Sequence, residues 1–148
     1  MKWAMAAVAA LALAGACATG PQVKGGPRPP QGPGPGGTDF GYWDRDAEGA
    51  VDMTFRTFIS QAYDESDAAK ARVTLEKDGF NCRDGNRPDG RPVPELECER
   101  VYQKNDDVHA WTVRFWTNQK EPESHYTRTH ILDRLKSRED QKKGRKPG

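Results

Sequence analysis

The chain has 148 residues, 23 Lys and Arg against 22 Asp and Glu, a formal net charge of +1, and 34% hydrophobic residues. That length supports one modest core rather than several. No apolar stretch approaches the about 20 residues that cross a bilayer as a helix, so a membrane-spanning helix is excluded.

The N-terminus reads Met1-Lys2-Trp3, then an apolar run from Ala4 to Leu13, then Ala14-Gly15-Ala16-Cys17. A basic start, a short apolar run and small residues make a removable export signal over residues 1–16. Two cuts fit. Lipidation at Cys17 is one. The other is an ordinary signal-peptidase cut at a small-x-small triplet, Ala14-Gly15-Ala16 or Ala16-Cys17-Ala18. The three cysteines are an awkward number for an exported chain. If Cys17 is lipidated or cleaved off, Cys82 and Cys98 remain as one pair.

Leu13, three small residues and Cys17 resemble the lipobox of bacterial lipoproteins, with the Leu one place early. That resemblance implies an outer-membrane lipoprotein facing the periplasm, held to the membrane by an N-terminal lipid on Cys17. The alternative is a soluble periplasmic or secreted protein, such as an enzyme inhibitor. An exported chain rarely meets nucleic acid, so none is expected as a partner.

Residues 17–38 follow as anchor and linker. Ala18 to Thr38 contains seven Gly and six Pro in 21 residues. With so few apolar side chains the segment is expected to be a disordered spacer. Pro27-Arg28-Pro29-Pro30 fits a PxxP ligand pattern, although a plain linker accounts for it.

The expected domain covers residues 39–133. Asp44 or Asp46 can cap a first helix, in which Val51, Phe55, Phe58, Ile59 and Ala62 share one face. Ser66 is the expected cap of a second helix, with Ala68, Ala71, Arg72 and Leu75 inward. Gly79 stops it in the left-handed region, and Phe80 folds back on Leu75 or Glu76.

The period then changes to two. Phe80 to Arg83 reads as a short strand, and Asp84 to Pro94 as a long hairpin loop. Leu96 and Cys98 alternate with outward Glu95, Glu97 and Glu99. Lys104 to Asp107 is a turn. Val108 to Thr117 is a strand with Trp111, Val113 and Phe115 on one face. His109 is expected on its solvent side. Residues 125–132 fit a fourth strand or the start of a helix. Cys82 and Cys98 fall on neighbouring antiparallel strands in the inward register, which predicts a disulfide.

The fold class is therefore α+β, with two helices packed on one face of a three- or four-stranded antiparallel sheet. That element order resembles small outer-membrane-assembly lipoproteins of the SmpA/OmlA type. The resemblance implies an assembly role in the envelope and carries over no functional residue.

Charge is unevenly laid out. Residues 39–133 hold 20 acidic and 13 basic residues, and residues 134–148 hold two acidic and seven basic. The basic segment 134–148 is expected to be a disordered, solvated tail.

Chemistry-bearing motifs are scarce. There is no G-x-S-x-G elbow, no HExxH and no phosphate loop. Asp84-Gly85-Asn86-Arg87-Pro88-Asp89-Gly90 has Pro88 and Asp89 where a calcium loop needs an acid and then Gly. No catalytic residue, cofactor, metal or small-molecule substrate is assigned. An envelope protein is the expected partner. Trp116, on the sheet face opposite Trp111, and Arg87 and Arg91 in the hairpin loop are the candidate contacts.

Overall fold

A computed structural model describes residues 26–63, 68–85 and 89–144. Its elements are α1 (Glu48–Ala62), α2 (Ala68–Lys77), β1 (Asn81–Asp84), β2 (Leu96–Lys104), β3 (Asp107–Phe115), β4 (Glu123–His130) and α3 (Ile131–Gly144). The four strands form one antiparallel meander in the order β1-β2-β3-β4. The architecture is α+β, with three helices rather than two among the described residues.

Helix α1 buries Val51, Phe55 and Ile59, as the helical period requires. Phe58 packs at the core's edge, while Ala62 is exposed. The helix starts at Ala47 without a side-chain cap. Asp44, an expected cap, instead pairs with Arg28 and Lys104. Asp46 pairs with Arg45. The expected cap Ser66 lies outside the described residues. Helix α2 ends as its sequence predicts. Gly79 has a φ of 83°, its N–H reaches the Glu76 carbonyl, and the Phe80 N–H reaches the Leu75 carbonyl. This is the paired closing motif that satisfies the last carbonyls of a helix.

Strand register places Cys98, Arg100, Tyr102, His109, Trp111, Val113 and Tyr126 on one sheet face. Cys98, Trp111, Val113, Phe115 and Tyr126 join Val51, Phe55 and Ile59 of α1 and Ala71 and Leu75 of α2 in a single buried cluster. Phe40, Trp43, Tyr63, Phe80 and Leu96 complete it, with Phe40 edge-on to Trp111 at 5.6 Å.

Two composition-based expectations are corrected. The spacer was expected to be disordered through Thr38. Residues 27–38 instead lie against the domain, with Pro29 and Thr38 fully buried; residues 17–25 lie outside the described residues. Distant side chains hold this strap. The Asp78 carboxylate accepts the Gly36 N–H at 2.7 Å and the Thr38 N–H at 3.1 Å. The Trp43 indole N–H donates to the Pro30 carbonyl at 3.1 Å. Arg100, itself buried, donates to the carbonyls of Asp78 and Pro27. A Cβ on Gly36 would lie 2.7 Å from the Asp78 carboxylate, so only glycine lets the backbone approach this closely.

The second correction concerns the C-terminus. The segment expected as a disordered tail is helical through Gly144. Its described side chains are mostly exposed, including Leu132 and Leu135. Residues 125–130 are strand, and the helix begins at Ile131.

Candidate functional site

The sheet face opposite the buried cluster carries the candidate contact residue Trp116. On this face β3 presents Val108, Ala110 and Thr112, all buried, and then half-buried Arg114. Their neighbours across the ladder are Val101, Gln103 and Glu99 on β2, and Thr127, Thr129 and His125 on β4. Glu99 is exposed and the others are half-buried, so water reaches this face along both flanks of a narrow, small-residue stripe.

One end of the face is closed by a charge ladder across all four strands. Arg83 of β1 donates to Glu97 of β2. Arg114 of β3 donates to the other Glu97 oxygen at 2.6 Å. Arg114 also lies 3.9 Å from Glu123 of β4. Burial pushes the Glu97 carboxyl up, but hydrogen bonds from Arg114 and Arg83 outweigh it and hold the group below its ordinary value. Ion pairs at a protein surface contribute about 0–1 kcal/mol each.

Trp116 stands beside this ladder. It is half-buried, and its indole N–H donates to Glu123 Oε2 at 3.1 Å. Its polar handle is therefore satisfied, while part of its ring is open to contact. Trp43 does not cover it; Trp43 is fully buried in the core against Tyr102 and His109. Arg91 is exposed and engaged by Asp89 two residues earlier. Arg87 and Cys17 lie outside the described residues. Cys82 and Cys98 face each other across β1 and β2 and are joined by a disulfide.

His109 is the main residue placed wrongly by sequence reasoning. It shares the strand parity of Trp111, so it points inward and is only 3% exposed. Its Nδ1 lies 2.6 Å from the Tyr126 hydroxyl, and its ring stacks with those of Trp111 and Tyr126. Counting the alternation from Trp111 back by two would have found it.

Burial, helped by the cation of Arg128, holds the His109 imidazole below its ordinary value; Asp107 and Asp44 oppose this and Lys104 adds to it. Burial also pushes the Tyr126 hydroxyl up to about 12. Both rings are therefore neutral in the folded protein near neutral pH. Because the folded pKa of His109 is depressed, the unfolded chain takes up this proton first as pH falls. Stability from this site is complete above about pH 6.5 and declines below it, by up to about 1.4 kcal/mol per pH unit, until the folded pKa is reached. Denaturant midpoints between pH 7.5 and 5 should show the loss, and His109→Gln should flatten it. Equal slopes in both proteins would refute the assignment.

No metal-binding group of three or more His, Cys, Asp or Glu side chains occurs among the described residues. None of their helices is long and apolar enough to cross a membrane. No protein-family model, curated protein or solved structure matches this chain.

Proposed function

We propose that this chain is an exported, membrane-tethered binding or assembly module of the cell envelope. In this reading residues 1–16 are removed and Cys17 carries the lipid. Helices α1 and α2 cover one sheet face. The other face, with Trp116 and the Arg83-Glu97-Arg114-Glu123 ladder, meets a protein partner. An outer-membrane location facing the periplasm fits this layout.

The observation that carries the export reading is the Cys82–Cys98 disulfide. Such bonds persist in oxidising compartments and are rare where thiols are kept reduced. It agrees with the signal-like N-terminus, which is an independent feature of the sequence.

Mass spectrometry of the mature N-terminus tests the anchor. A diacyl or triacyl mass on Cys17, lost in Cys17→Ser, is the expected result. An unmodified N-terminus in the soluble fraction would favour a secreted protein instead. For the contact face, a photo-crosslinker placed at Thr127 should capture an envelope protein, and capture should weaken when Trp116→Ala is added. Capture equal to that from a crosslinker on exposed Lys142 would reject the face.

A further inference from the structure

Strand β4 is an edge of the sheet, and α1 runs along it in the opposite direction. The Arg128 N–H donates to Glu48 at 3.0 Å, and the Tyr126 N–H donates to Asp52 at 2.7 Å. The pattern follows from two repeats. Four helical residues advance about 6 Å and two strand residues about 6.8 Å. Each step of four along α1 therefore meets the next outward-pointing N–H of β4. Carboxylates at positions 48 and 52 occupy two N–H groups that would otherwise invite another strand.

The next step breaks the pattern. Position 56 faces Ser124, whose N–H shares the outward parity of Tyr126 and Arg128. Position 56 is Arg, which has no acceptor. One step further, position 60 faces Pro122, which has no N–H. Ser124 is thus left with an edge N–H that the helix does not take.

A groove of about 650 Å³ opens at this point between α1 and the start of β4. Its charged lining is Asp52, Glu121 and Glu123 against Arg56 alone. Asp52 is committed to the Tyr126 N–H and lies 3.6 Å from Arg56. Glu123 accepts the Trp116 N–H. Glu121 is exposed. Met53, 67% exposed, supplies an apolar rim.

We propose that Ser124 and this groove dock a short, extended peptide segment bearing lysine or arginine. A carbonyl of the segment accepts the Ser124 N–H, as in strand addition, and its cation lies toward Glu121 and Glu123. The carboxylates of Glu48 and Asp52 close the edge beyond Ser124, so the segment cannot run the length of β4. An acidic segment is disfavoured by the excess of carboxylates, and an internal strand of many residues by the blocked edge. This site shares only Glu123 with the Trp116 face and does not depend on lipidation at Cys17.

The test is amide NMR on the full mature chain. The probe is a pool of acetylated, amidated hexapeptides with lysine at alternate positions and mixed β-branched residues between. The Ser124 amide should shift, and its hydrogen exchange should slow at least tenfold. The already bonded Tyr126 and Arg128 amides should keep their positions, which also reports an intact fold. Glu121→Lys should weaken the response at least tenfold, and a pool with glutamate in place of lysine should be inert. No shift at Ser124 with millimolar pool, an equal response to the acidic pool, or an unchanged response in Glu121→Lys would each overturn the proposal. Failure here leaves the Trp116 crosslinking result standing, and the reverse also holds.

Discussion

Asp78→Ala should be the most damaging single substitution outside the aromatic core, costing about 3–5 kcal/mol. Asp78 is 2% exposed and its carboxylate accepts two backbone N–H groups of the strap. Leaving a buried donor unpaired costs about 1–3 kcal/mol. A further loss falls on Arg100. Burial holds that guanidinium below its ordinary value, and the charge of Asp78 partly compensates. Removing the charge leaves a buried cation more exposed to its own desolvation cost.

Urea denaturation would give the magnitude, and hydrogen exchange at the Gly36 and Thr38 amides, which Asp78 holds, would show whether the strap is released. Asp78→Asn keeps one acceptor oxygen without the charge and should fall between wild type and Asp78→Ala. A loss below about 1 kcal/mol in the alanine variant would mean that the strap contributes little to folding.

The disulfide is expected to have an effect of similar size by a different route. Cys82 and Cys98 are 16 residues apart. Closing a loop of that length restricts the unfolded chain by about 3 kcal/mol in the chain-entropy account. For a domain of this size that corresponds to a Tm lower by roughly 12–24 °C. Cys82→Ser compared with wild type, each scanned with and without reductant, gives a clean design. Reductant should lower the wild-type Tm toward that of the variant and leave the variant unchanged. A wild-type Tm that ignores reductant under conditions where the thiols titrate as free would contradict this.

Local periodicity made much of the fold readable. Val51, Phe55 and Ile59 mark the inner face of α1 because helical spacing repeats every 3.6 residues. The alternation around Leu96, Cys98, Trp111, Val113 and Phe115 marks the sheet, and the disulfide follows once its two cysteines fall opposite each other. His109 belonged to the same alternation and was readable by that rule.

The strap was not readable, because nothing within it is apolar enough to fold by itself. Its order depends on Asp78, Trp43 and Arg100, of which Asp78 lies 40 residues beyond Thr38. Composition reports what a segment can bury alone, and here the partners lie elsewhere in the chain. The length of helix α3 beyond residue 133 was missed for a related reason. Its side chains are largely hydrophilic, so no inward stripe announces it. The opening beside Ser124 required both the helix phase and the strand parity at once, which neither segment discloses singly.

The docked strap also sets a leash length. Had the whole Gly/Pro segment been free, the 21 residues from Ala18 to Thr38 could have paid out about 70 Å at full extension. With the chain gripped from Pro27 onward, an attachment at Cys17 leaves about ten residues, or about 35 Å. On the proposed anchoring, the domain therefore patrols a shallow layer beside its own membrane. On the same proposal, a partner would have to come to that surface or already reside there.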